Sequence, residues 1–165
     1  MSAVGYSCTT EGAVALSAAT AKTIIGAKAH ANSGIQLKGF EVSFDGVTAS
    51  AVPVLVEVCY ATFATSGPGE AAPGSPTILS STSTTPRQKY GRVLAAGFTS
   101  GKTWTTEPTV LTVIKSFLLA PDKGFIAFQY PLGQEPDSAL AEGFAIRCNA
   151  PAAVNVRAGL DLERV

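Results

Sequence analysis

Residues 40–60 read Phe40-Glu41-Val42-Ser43-Phe44-Asp45-Gly46-Val47-Thr48-Ala49-Ser50-Ala51-Val52-Pro53-Val54-Leu55-Val56-Glu57-Val58-Cys59-Tyr60. Phe40, Val42 and Phe44 alternate with Glu41 and Ser43, the period of two that marks a half-buried strand. Val54, Val56, Val58 and Tyr60 then share one face, with Leu55, Glu57 and Cys59 on the other. That second run is apolar on nearly both sides, so it is expected as a central strand of a core. Asp45-Gly46 marks a turn, and residues 47–51 form a short connection of small side chains. The rest of the chain reads as cover for this pair.

Outward from the pair, alternation recurs. Val14 and Leu16 alternate with Ala15 and Ser17, residues 24–29 form a second β-like run, and Asn32-Ser33-Gly34 signals a turn. Ile35 and Leu37 lie in odd phase and Phe40 in even phase. The slip falls at Gly39 and predicts a β-bulge there, with a strand break as the alternative. Residues 89–94 form a short strand. Residues 108–119 form a stronger one, with Leu111, Val113 and Phe117 on one face and Val110, Thr112 and Ile114 on the other. Asp122-Lys123-Gly124 and residues 125–130 then predict a hairpin return. Residues 136–142 suit a single helical turn. Phe144, Ile146 and Cys148 alternate next, and Val154 to Leu162 alternate most cleanly of all.

About eight strands with turn signals between them, and no long helical pattern, predict an all-β antiparallel sandwich. Long connections disfavour an up-and-down barrel, so the expectation is jelly-roll-like. Residues 1–12, polar and glycine-broken, are expected as an N-terminal arm, and 13–165 as a single domain. Residues 65–86 hold Pro68, Pro73, Pro76 and Pro86 among many Gly, Ser and Thr, and predict a long surface loop. Its readings are contact with a neighbouring subunit or simple flexible connection. Ile78 and Leu79 are its only large apolar residues and the expected pins.

Composition narrows the function. The 165 residues suit one domain that buries roughly 70% of its unfolded surface. Twelve basic residues balance twelve acidic ones, so the chain lacks the excess cation that nucleic acid requires, and low net charge favours assembly. No apolar run approaches the ~20 residues of a membrane helix, and no basic segment precedes an apolar one at the N-terminus, so neither membrane span nor signal peptide is expected. The three cysteines, Cys8, Cys59 and Cys148, are odd in number and far apart. A disulfide framework is therefore not expected; Cys59 and Cys148 read as small buried residues, and the setting as a reducing cytoplasm.

Chemistry-bearing motifs are weak. Residues 96–103, Ala-Gly-Phe-Thr-Ser-Gly-Lys-Thr, resemble a loosened P-loop. Trp104-Thr105-Thr106-Glu107-Pro108 opposes the helix such a loop needs, so a surface turn is the expected reading. His30 is the only histidine, too few for a cupin-type metal site, and no nucleophile elbow accompanies it; it is expected to be solvated beside a turn. Glu41, Asp45 and Glu57 are scattered and read as solvated strand faces. Trp104, Tyr90 and Tyr130 are candidates for a sugar-stacking surface, with completion of a core or interface as the commoner role. No catalytic, metal or cofactor-binding residue is assigned, and no enzyme activity is expected.

Four segments together carry a resemblance. They are Phe44-Asp-Gly-Val-Thr-Ala-Ser-Ala-Val-Pro-Val-Leu-Val-Glu, Glu107-Pro-Thr-Val-Leu, Pro131-Leu-Gly-Gln-Glu-Pro and Arg147-Cys-Asn-Ala-Pro-Ala-Ala-Val-Asn-Val. This set resembles small virion structural proteins of tailed bacteriophages, of the head decoration or cement type. The likeness spans about residues 35–165 and is weakest in the N-terminus and in 65–86. It implies a β-sandwich made in the host cytoplasm and carried in many copies on the capsid exterior. The implied partners are the major capsid protein and copies of itself, a trimer before a dimer, with no cofactor. A receptor- or glycan-binding module on the virion is the alternative.

Overall fold

The computed structural model describes residues 4–44, 52–91, 94–122 and 124–165. Its strands are β1 (Gly5–Thr9), β2 (Val14–Leu16), β3 (Thr20–Ala29), β4 (Ile35–Phe44), β5 (Val54–Thr62), β6 (Ala71–Ala72), β7 (Ser75–Leu79), β8 (Thr82–Thr84), β9 (Arg87–Tyr90), β10 (Phe98–Lys102), β11 (Val110–Leu119), β12 (Phe125–Gln129), β13 (Glu142–Ala150) and β14 (Val154–Arg164). One sheet runs β12-β4-β14-β1-β9 and the other β11-β5-β13-β3-β10-β8, with β2 paired to β14 and a separate β6–β7 ribbon.

Eight of these strands make two four-stranded sheets, β12-β4-β14-β1 and β11-β5-β13-β3, with jelly-roll connectivity. Successive strands β3, β4 and β5 alternate between the sheets, and the chain ends meet where β1 pairs β14. The expectation of about eight strands falls short of the fourteen that form among the described residues, while the all-β antiparallel class holds. The other six strands decorate the jelly roll, five of them in the stretch between β5 and β11.

Alternation explains the packing. Leu37, Val42, Val156, Leu160 and Leu162 of one sheet and Val54, Val56, Val58, Ile146 and Cys148 of the other are buried in a single cluster between the layers. Rings bridge the sheets: Phe40 stacks on Phe117 at 6.0 Å, and Tyr6 meets Phe98 edge-on at 5.4 Å. The slip at Gly39 is a bulge in an unbroken strand. Asp161 lies opposite Gly39 and Leu162 opposite Leu37, which leaves Lys38 as the extra residue. A Cβ at position 39 would sit 2.6 Å from the Phe128 carbonyl oxygen, so the bulge needs a glycine there.

Several expectations are corrected. Residues 40–44 and 54–60 lie in different sheets, as parts of β4 and β5; the turn read at Asp45-Gly46 and the connection at 47–51 fall outside the described residues. The 108–119 and 125–130 segments form no hairpin, since β11 pairs β5 and β12 pairs β4. Phe117 changes faces: it was expected beside Leu111 and Val113, but a bulge between Val113 and Lys115 shifts the phase, so Phe117 joins Ile114 on the core while Val113 stands 44% exposed on the other face. Residues 136–142 form no helical turn: Asp137 bridges Gln36, and the chain then turns at Leu140 and Ala141, with the Glu142 N–H donating to Ala139 O at 3.3 Å.

The largest correction is the N-terminal arm. Its residues form β1, inserted between β14 and β9, with Val4, Tyr6 and Cys8 buried. Ser7 and Thr9 alternate with them and are half-buried, and Gly5 lies under the Tyr90 ring, so three apolar residues suffice for a strand that is flanked on both sides.

Residues 65–86 are likewise not a free loop. They hold β6, β7 and β8, and Ser66, Ser80, Ser81 and Thr84 are buried. The pins are serines: the Ser80 N–H donates to Glu70 O at 2.8 Å, and Ser81 Oγ accepts from Gly69 N and donates to Gly67 O, both at 3.2 Å. Ile78 and Leu79 instead stand 55% and 51% exposed. Beneath this segment, Gly26, Ala61 and Ala145 make a small-residue floor on the outer face of the β5 sheet. Phe63 and the fully buried Trp104 lie on it, with rings 5.9 Å apart.

Candidate functional site

The candidate residues occupy separate places. His30 is exposed at the end of β3, and its Nδ1 accepts the Asn32 N–H at 3.2 Å. It borders a cleft of about 520 Å³ lined also by Lys28, Glu70, Phe98 and Thr99. The charges there are already matched. Lys28 Nζ lies 2.5 Å from Glu70 Oε1, and Glu70 Oε2 accepts the Gly67 N–H at 3.1 Å. Glu70 therefore fastens the 67–74 excursion to β3.

Glu41 and Glu57 face outward from opposite sheets. Glu57 pairs with Arg147 Nε at 2.8 Å, which holds the guanidinium above its ordinary range. Asp45 lies outside the described residues, so no acid pair forms from Glu41 and Glu57. Among the described residues, no cluster of three or more His, Cys, Asp or Glu side chains stands ready for a metal ion.

The P-loop-like segment is neither loop nor surface turn. Residues 98–102 form β10, paired with both β3 and β8, with Ser100 and Gly101 buried. Lys102 Nζ donates to the Thr10 carbonyl at 2.8 Å. A phosphate cradle needs a glycine loop that opens a helix, and this backbone is extended.

The three aromatics do not share a surface. Trp104 is buried on one sheet's outer face and donates Nε1–H to Ser66 O at 2.7 Å. Tyr90 lies over Gly5 on the other sheet and donates its hydroxyl to Glu163 Oε2 at 3.1 Å. Tyr130 packs edge-on to Phe128 at 5.0 Å. Tyr90 and Tyr130 do border one cleft of about 230 Å³ with Lys38, Lys89 and Asp161. Lys38 meets Glu135 at 2.5 Å and Glu163 at 3.7 Å, and Lys89 meets Asp161 at 2.9 Å. The bond to Glu135 raises the Lys38 ammonium and holds the Glu135 carboxyl low, while burial and then Glu163 push the Tyr90 phenol up. This network ties β4, β9 and β14 to the 131–137 segment.

No family model, curated protein or solved structure matches the chain.

All three thiols are buried and free. Burial pushes Cys59 to about 11 and Cys8 to about 12, and Cys148 upward as well. The thiolate is the reactive form, so at pH near 8 the folded protein is expected to show no fast reaction with a disulfide reagent, and three equivalents once denatured. A thiol that titrates within minutes in the native state contradicts the described burial.

Sequence reasoning missed two features. Glu107 grips β3 where its pairing with β13 shifts: Oε1 accepts the Thr23 N–H at 2.9 Å and Oε2 the Thr23 hydroxyl at 2.5 Å. A lone acid before a proline gave no signal of that. The second is apolar surface. Val110, Val113, Leu118 and Phe125 are 53%, 44%, 67% and 64% exposed on the β11–β12 edge. Ile78 and Leu79 on β7 form a second exposed apolar group, and Leu94, Leu132 and Leu140 stand exposed singly elsewhere.

Proposed function

We propose that this chain is a non-enzymatic structural protein of a bacteriophage virion, a decoration protein that binds the head lattice from outside as a symmetric oligomer. The observation that carries the reading is the β6–β7 ribbon. It presents Ile78 and Leu79 to solvent from a base fixed by buried serines, so contact costs little ordering entropy. A neutral chain repels neither its copies nor a crowded lattice. Many modest contacts of this kind sum to tight occupancy through multivalency. The proposed partner of the ribbon is the major capsid protein.

The test is co-sedimentation with undecorated heads. Wild type is expected to saturate them. The double substitution Ile78→Ser, Leu79→Ser removes about 1–2 kcal/mol per side chain, so binding should weaken at least tenfold with an unchanged melting curve. Equal binding by the variant, or none by wild type, contradicts the reading. A second reading, a glycan-binding module of the virion, is favoured by the cleft beside His30 and Phe98. Glycan-array binding that disappears in a Lys28→Ala, His30→Ala variant would select it.

A further inference from the structure

The two sheets have four edges, and three are guarded. The β9 edge is four residues long and carries Arg87 and Lys89. The β8 edge is Thr-Ser-Thr, and the β12 edge has five residues. Short length and charge are the usual devices that keep sheet edges from pairing. The β11 edge is at least twice as long as any of these and carries one charge, Lys115, and one bulge, at Ile114. It runs ten residues, pairs only β5, and its outward backbone groups have no strand partner among the described residues.

Its single charge, Lys115, does not protect it. The ammonium folds back to 4.5 Å from the centre of the Phe128 ring, over the mouth of the sandwich. What remains exposed is Val113, Ser116 and Leu118, with Val110 and Thr112 nearer the strand's start.

We propose that β11 pairs antiparallel with β11 of a second copy across a twofold axis. A strand edge is self-complementary in the antiparallel sense, and a twofold brings the same patch of each copy together. Size fits as well. Ten residues of β11 span about 34 Å and the five of β12 about half that, so with sheets ~10 Å apart the edge offers on the order of 500 Å² per copy. Two copies then bury about 1,000 Å², the lower bound for a specific interface. The balanced charge of the chain removes the repulsion that would oppose contact between copies. This pairing is a property of the chain alone and does not depend on what the assembled protein binds.

Sedimentation equilibrium over a dilution series tests it. Wild type is expected at twice 16.8 kDa. Val113→Lys combined with Leu118→Lys restores a charged edge at exposed positions and should raise the dissociation midpoint at least tenfold, with the thermal transition unchanged. Ser116→Cys gives a second readout. The native thiols are buried, so a short bismaleimide should couple only the introduced residue and yield a covalent dimer. The same cysteine in the double-lysine background should stay uncoupled. A monomer at every concentration overturns the proposal. So does a trimer mass, a dimer indifferent to the lysines, or a Ser116→Cys protein that forms no covalent dimer where wild type is dimeric.

Discussion

A variant that lacks residues 1–12 is expected to lose the cooperative fold. The composition of that segment suggests a dispensable arm, and its position argues the reverse. β1 is hydrogen-bonded on both sides, to β14 through Gly5 to Thr9 and to β9 through Gly5 to Ser7. Deleting it strips Val4, Tyr6 and Cys8 from the core, where each is at most 6% exposed. At about 1.5–3 kcal/mol for a large apolar side chain, those losses alone approach the ~5–15 kcal/mol that holds a domain together. The ladder adds to them. The Tyr6 hydroxyl also donates to the carbonyls of Leu94 and Ala95 at 3.1 and 3.2 Å, so residues 94–95 lose their anchor. Circular dichroism during a thermal scan checks this. The deletion should give no sigmoidal transition, and a cooperative melt within a few degrees of wild type would show β1 to be peripheral.

Trp104→Ala is the second large effect. The indole is 1% exposed and caps the floor of Gly26, Ala61 and Ala145. Removing a buried tryptophan costs about 3–5 kcal/mol. The Ser66 carbonyl also loses its Nε1–H donor inside a buried site, which adds about 1–3 kcal/mol. In a chain of this size each kcal/mol lowers Tm by about 2–4 °C, so a fall of roughly 10 °C or more is expected. The damage should be local first, because this floor lies on the outer face of the sheet, apart from the main core. Limited proteolysis should therefore cut within residues 65–86 of the variant before the jelly roll opens. A Tm within two or three degrees of wild type (on the order of 1 kcal/mol), with proteolysis unchanged, would mean that Trp104 does not fasten the segment.

The fold class was legible because alternation is a local signal. Phe40 to Phe44, Val54 to Val58 and Val154 to Leu162 each declare one buried face, and all are strands that bury it. The Gly39 slip was legible for the same reason. Partner choice was not. A strand followed by a turn and a second strand has the same local pattern whether the chain returns in its own sheet or crosses to the facing one, so β11 and β12 read as a hairpin. Phe117 was misassigned to the face of Leu111 and Val113 by a bulge that no glycine advertised. The proline- and glycine-rich stretch at 65–86 hid its order, because buried serines with backbone hydrogen bonds hold it and composition registers only their polarity. The exposed apolar edge was invisible in a similar way. Leu111 to Leu119 is apolar on both faces, and a sequence cannot distinguish a strand buried on both from one waiting for a partner.

The reading of this molecule as a virion component that works through its outer surface is tested most directly by a cryo-electron microscopy map of phage heads incubated with the purified chain. The predicted result is density on the capsid exterior into which two facing four-stranded sheets fit, with the β6–β7 ribbon turned onto the capsid lattice. Heads that remain bare at saturating protein, or density with that ribbon pointing away into solvent, would contradict it.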